Sequence, residues 1–145
     1  MRTFWICGPI AFLSSFAAKL LADAYLTQRI PLFGDFAGLQ YSRNPGIAFG
    51  VRLPDGFQNM FIILALAFVC FLAWKSAHTR FSQAAYAFIV GGALGNVVDR
   101  LRDGVVTDFF QIGSFPIFNV ADSCITIGVL FLLAESLGLN RRSTH

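Results

Sequence analysis

Four apolar runs dominate the chain, at residues 4–26, 57–74, 81–98 and 115–137. Each comes close to the roughly 20 residues a helix needs to cross the hydrocarbon core of a bilayer. A soluble domain carries about 25% charged residues. Here 13% are charged, 56% are hydrophobic and the mean hydropathy is +0.64. A soluble fold of 145 residues has too little interior to hide that much apolar surface, so lipid is the expected solvent. The expected architecture is a membrane α-helical fold of four transmembrane helices, a single integral-membrane domain over residues 1–145. The first run stands where a cleaved leader would stand, but Lys19 and Asp23 interrupt its far half and it lacks a convincing cleavage site. It reads as a retained span.

The connections are unequal. Spans two and three are joined only by KSAHTR, whereas a long segment, QRIPLFGDFAGLQYSRNPGIAFGVRLPDG, separates spans one and two. Its Pro and Gly punctuation with apolar residues between is the pattern of short strands and turns. Between spans three and four, RDG is a turn signal and VVTDFF is β-branched and aromatic enough for a strand. Both longer segments follow odd-numbered spans and share one side, so a small sheet built from both, capping the bundle at the interface, is expected. Arg2, Lys75, Arg80, Arg141 and Arg142 flank the side of the termini and Arg29, Arg43, Arg52, Arg100 and Arg102 the other. The counts tie, but the first set lies on much shorter segments without acids, which places both termini in the cytoplasm.

Several function classes fall away. A net charge of +3 with no basic block gives no reason to expect nucleic acid. Cys7, Cys70 and Cys124 have neither metal nor redox spacing and read as small buried hydrophobes; too little apolar sequence precedes Cys7 for a lipoprotein cleavage site. His78 and His145 lie in a polar loop and at the tail, which poorly supports a zinc protease or a Ser-His-Asp hydrolase. No cofactor or metal is expected. GGALG at residues 91–95 is a small-xxx-small pattern, read as close helix packing.

Ionisable groups beside a bilayer core are costly, and are kept when paired, interfacial or functional. Here they gather in GNVVDR (Asn96, Asp99, Arg100), VVTDFF (Asp108), FNVADS (Asn119, Asp122, Ser123) and YSRNPGIAF (Arg43, Asn44). Asn96, Asp99 and Arg100 share a face at the outer end of the third helix. The topology brings Asp108 and Asp122 to one level at the outer interface. Two close carboxylates share a proton because both cannot ionise cheaply. The ionised one can take a proton from attacking water while the protonated one donates to an amide carbonyl. The plainer reading is that Asn119 or Asp122 caps the fourth helix. Asp99 and Arg100, adjacent acid and base, read as a local salt bridge bracing a helix end. A transporter or channel subunit would place its acids near the bilayer midplane, and these lie at one interface.

GGALGNVVDRLRDGVVTDFF followed by FPIFNVADSCITIG resembles the lipoprotein signal peptidases, the type II signal peptidases of bacteria, and RNPGIAFG resembles that family's upstream Asn-x-Gly-x-Ala-Phe element. The resemblance implies a four-span aspartyl protease of the inner membrane, its small extracytoplasmic β-sheet cradling the substrate. The substrate would be a diacylglyceryl-modified prolipoprotein, cut just before its lipidated cysteine, with membrane lipid around a monomeric enzyme and globomycin-type peptides as inhibitors. By position, Asp108 and Asp122 match the catalytic aspartates. Asn44, Asn96, Asp99, Arg100 and Asn119 match residues that support or line the site, and Lys19 and Ser15 are counted with this substrate-binding or supporting set. Two positions depart from the pattern. Ser15 replaces an Asp that the family usually carries four residues before the retained Lys19, and Asp23 is a candidate for supplying that carboxylate. Pro45 stands where a smaller, less constrained residue is usual. Ser15 favours a second reading, a paralogue that binds lipidated peptides without cutting them.

Overall fold

The computed structural model describes residues 1–46 and 57–138. Residues 47–50 of RNPGIAFG lie outside the described residues, as do Arg52, Arg141 and Arg142 of the charge count. In chain order the elements are α1 (Arg2–Tyr25), β1 (Ile30–Phe33), β2 (Ala37–Asn44), α2 (Phe57–Ser76), α3 (Arg80–Asp103), β3 (Val106–Ile112), β4 (Phe115–Phe118) and α4 (Val120–Ser136). Among the described residues three helices, α1, α2 and α3, are long and apolar enough to cross a membrane. Their outer faces stay greasy: Trp5, Ile10, Leu13, Phe61, Phe68 and Trp74 are exposed. Such large apolar surfaces belong against lipid or a partner rather than water.

The fourth apolar run splits. Phe115–Phe118 is not the start of a helix but strand β4, paired antiparallel with β3 through Phe110↔Phe118 and Ile112↔Phe115. Asn119 then caps α4, which keeps 17 residues. At about 1.5 Å per residue that is roughly 25 Å, shorter than the roughly 30 Å hydrocarbon core. The third run is longer than expected at its C-terminal end. Thr79 and Ser82 form a capping box at its start, and the helix continues to Asp103. There Gly104, at φ 73°, closes it by donating its N–H to the Arg100 carbonyl. RDG is thus a helix stop: Gly takes up the left-handed conformation without the steric cost a side chain would add.

α3 is the centre of the bundle, packing on α1, α4 and α2. The GGALG stripe makes this possible. Gly91 lies against the Gly8 carbonyl and Ala11 of α1, while Gly92 faces the Ala121 carbonyl and Cys124 of α4. Gly95 sits between Ser15 and Ala121. α2 hangs on α3 and buries only Ala73 among its residues. Of the cysteines, Cys124 alone is buried; Cys70 is on the exposed face of α2, contrary to its reading as an interior residue.

The four strands form one antiparallel sheet in the order β1-β2-β3-β4. β1 and β2 come from the first long segment and β3 from the second, so the β2–β3 ladder ties them together as expected. Its register pairs Ser42 with Asp108, Arg43 with Thr107 and Asn44 with Val106. Phe109 packs on Ala22 and Leu26 at the end of α1. Successive strand side chains point to opposite faces, so Asp108 is turned the other way, toward Asn44 and the Asn119 cap of α4.

Candidate active site

β3 and the first turn of α4 deliver the two carboxylates. Asp108 is 2% exposed, and both Asp108 and Asp122 line one cavity of about 680 Å³. Asn44, Asn96 and Arg100 line its polar end. Ile62 of α2, Phe115, Ile117 and Phe118 of β4, and Ile125 and Ile127 of α4 give it an apolar wall.

Each carboxylate is held by amides. Asn119 Nδ2 donates to Asp108 Oδ1 at 2.6 Å, and Asn44 Nδ2 to Asp108 Oδ2 at 3.1 Å. The second contact follows from register: Asn44 pairs with Val106, so Asp108 is its diagonal same-face neighbour. Asn96 Nδ2 donates to Asp122 Oδ1 at 2.8 Å, and the Asn119 backbone N–H to Asp122 Oδ2 at 3.1 Å. The last bond is half of a capping box, since Asn119 Oδ1 accepts from the Asp122 N–H at 3.1 Å. Capping is therefore real, and the same residues also face the cavity. Among the described residues neither Asp108 nor Asp122 forms an ion pair. Burial pushes the Asp108 carboxyl up to about 6; the Asn119 and Asn44 donors oppose that rise, while the Asp122 charge adds to it.

Behind the carboxylates lies a fully buried ion pair, Lys19 Nζ to Asp99 Oδ2 at 3.1 Å. Lys19 also donates to Asn96 Oδ1 at 2.6 Å and to the Gly95 carbonyl at 3.3 Å, which engages all three of its protons. Asp99 is thus paired across helices and not with its neighbour Arg100, which corrects the local-brace reading. Arg100 turns elsewhere, reaching the Gly46 carbonyl at 2.6 Å and the Asn96 carbonyl at 3.5 Å. An ion pair that does brace the helix end lies two residues on, where Arg102 binds both Asp103 and Asp23.

Asn44, Asn96, Asp99, Asp108, Asn119, Asp122 and Lys19 therefore form one hydrogen-bonded network with Arg100 at its edge. Ser15 stands outside it: its Oγ donates to the Ala11 carbonyl of its own helix at 2.6 Å. Asp23 does not replace an acid at that place, because it binds Tyr41, Thr107 and Arg102 beneath the sheet. Pro45 is accommodated. Asn44 Oδ1 accepts from the Gly46 N–H at 2.9 Å, an Asx turn whose central residue needs no N–H. Sequence reasoning missed Thr107, whose N–H donates to Asp99 Oδ2 at 2.9 Å, and the β4 wall. Adjacency to Asp108 was the only available signal for the first.

The fold is similar to that of a bacterial membrane enzyme solved by the in meso method at 2.3 Å resolution. The TM-score is 0.85 at 27% identity, over 100% of this chain and 94% of the other. The chain belongs to the signal peptidase (SPase) II family, whose sequence profile matches residues 10–138. The lipoprotein signal peptidase of Serratia proteamaculans is 35% identical over 147 residues, covering 93% of this chain and 86% of the relative. That of Haemophilus influenzae is 39% identical over 146 residues, covering 90% and 85%. The family suggested by the sequence motifs is the family these relatives share.

Proposed function

We propose that this chain removes the signal peptide from diacylglyceryl-modified prolipoproteins as an aspartyl endopeptidase, cutting before the lipidated cysteine. The relatives named lipoprotein signal peptidase support the substrate class. The observation that carries the chemistry is the pairing of Asp108 and Asp122 across one cavity, each held by amides and neither neutralised by a cation among the described residues. Asp108, raised by burial, holds the shared proton. Asp122, as the base, takes a proton from a water whose oxygen bonds to the scissile carbonyl carbon. Asp108 gives its proton to the carbonyl oxygen, forming a neutral gem-diol. Asp122 then gives the water-derived proton to the amide nitrogen while ionised Asp108 takes a proton back from a gem-diol hydroxyl; the C–N bond breaks, the signal peptide leaves with the new carboxyl group and the lipidated cysteine keeps the free amine. No metal or covalent intermediate takes part.

In this reading α4 is a fourth span, its short helix completed at the outer end by β4, and residues 1–145 form a single domain acting as a monomer. The membrane is the bacterial inner membrane, with cytoplasmic termini and the sheet at the extracytoplasmic face. The apolar wall of the cavity suits a substrate whose acyl chains stay in lipid. Asn44, Asn96, Asn119 and Arg100 bind or orient around the scissile bond. The second reading, binding without cleavage, rests on Ser15 alone. The lysine one turn later has Asp99 as its counter-charge, which favours the active form.

The test is a gel-shift cleavage assay on a diacylglyceryl-modified prolipoprotein in a bilayer, comparing the natural sequence with Asp108→Asn and Asp122→Asn. Cleavage by the natural chain and none by either folded variant is expected. Intact substrate with the natural chain, or equal cleavage by a variant, would overturn the assignment.

A further inference from the structure

We propose that Lys19 is a positioning residue that sets both carboxylates from one buried atom; this deepens the aspartyl-peptidase reading and rests on it. Two short paths leave Lys19 Nζ. The first runs to Asn96 Oδ1 at 2.6 Å. That oxygen also accepts from Asn119 Nδ2 at 3.2 Å. With its oxygen engaged by two donors, the Asn96 amide is left to present Nδ2 to Asp122 Oδ1 at 2.8 Å. A flipped amide would turn N–H groups against an ammonium that can only donate.

The second path runs to Asp99 Oδ2 at 3.1 Å. The same oxygen accepts the Thr107 backbone N–H at 2.9 Å. Thr107 immediately precedes Asp108, so this bond fixes the height of β3 against α1 and α3. Asp108 and Asp122 come from different elements, and their common reference is the ammonium on α1.

Lys19 and Asp99 are each 0% exposed, and neither lines the cavity. A buried ion pair adds little net stability over well-packed neutral residues, while removing one partner alone leaves a costly orphan charge. Stability is thus a poor account of why this pair is bonded to the neighbours of both proposed reacting groups, Asn96 beside Asp122 and Thr107 beside Asp108. Positioning is a better one, because misplacing a reacting group by about 1 Å can cost about 10²-fold in rate.

The experiment replaces both charges at once, with Lys19→Met/Asp99→Asn, so that no orphan is left. Cleavage of the same lipidated prolipoprotein is measured with kcat and KM separated, alongside Asp122→Asn. The folded double variant is expected to keep its KM and lose about 10²-fold in kcat. Lys19→Gln/Asp99→Asn, which restores a donor toward Asn96, is expected to recover part of that loss. Natural kcat in the folded double variant, or a raised KM with kcat intact, overturns the proposal; if Asp122→Asn is inactive in the same assay, the carboxylate pair still stands. Full cleavage by Asp122→Asn overturns the carboxylate reading and this proposal with it. Should Lys19→Met/Asp99→Asn fail to fold, the Gln variant carries the test, with lowered kcat at constant KM in support and natural kcat against.

Discussion

Asn119 donates to Asp108 at 2.6 Å while its side-chain oxygen caps the helix in whose first turn Asp122 lies. One amide thus sets the distance between β3 and α4. The two duties can be separated, because Ser is as good an N-cap as Asn but lacks the amide donor. Asn119→Ser is expected to keep the unfolding temperature within a few degrees and to lose roughly tenfold to 10²-fold in kcat. Thermal unfolding and cleavage kinetics on one preparation check this. A matching loss of stability would mean that the cap is the larger of the two roles.

The pH dependence follows from Asp108. Its carboxyl lies at about 6, above the usual 3.8, chiefly because it is buried. In the proposed role of proton donor it must be protonated, so kcat/KM is expected to fall as pH rises through about 6. Asn44 favours the ionised form by donating to Oδ2 at 3.1 Å. In Asn44→Ala that support is gone, the proton is held more tightly, and the falling limb moves to higher pH. The limb belongs to the coupled pair rather than to Asp108 alone. A pH–kcat/KM profile of the two proteins reads it, and a limb moved to lower pH would reverse the assigned roles.

The helices, and the meeting of Asp108 and Asp122 at one cavity, were legible because their signals are local. Apolar runs announce spans wherever they pack, and Asp108 and Asp122 sit in motifs that survive without tertiary information. What stayed hidden depends on partners far along the chain. Phe115–Phe118 has the composition of a span and becomes a strand because β3 offers it a ladder. Asp99 looked like the partner of Arg100 because they are adjacent, whereas helix geometry turns it to Lys19 on another helix. The Thr107 amide carries no side-chain signature at all, yet it is the link from that pair to β3.

The close packing of α3 makes a sharper prediction. A Cβ at Gly92 would meet the Ala121 carbonyl oxygen at 2.5 Å, backbone that cannot swing aside, in the turn that carries Asp122. Gly92→Ala is expected to cost about 1–3 kcal/mol and to lower cleavage by displacing α4. At Gly8 the nearest atoms are Ala87 O at 3.9 Å and Ala87 Cβ at 4.0 Å, ordinary contact. Gly8→Ala is expected to be neutral or slightly stabilising, as Ala is the better helix former. Equal effects in the two variants would mean that the α3–α4 contact is looser than these distances.

Ser15 and Asp23 both bear on whether Lys19 needs a second acid. Lys19 already has three acceptors in Gly95, Asn96 and Asp99. Ser15 Oγ spends its proton on Ala11, and Asp23 is engaged with Tyr41, Thr107 and Arg102. Ser15→Ala is therefore expected to hold kcat within about fivefold, because it loses only the bond to Ala11 within α1 and a contact with the Cys124 thiol of α4, and net hydrogen-bond contributions are about 1 kcal/mol. Asp23→Asn weakens a partly exposed pair with Arg102, worth about 1 kcal/mol or less, and should loosen the sheet slightly without changing kcat. Kinetics and thermal unfolding of both variants decide the point. A kcat lowered more than about tenfold in a folded Ser15→Ala or Asp23→Asn protein would show that Asp99 is not the acid on which Lys19 depends.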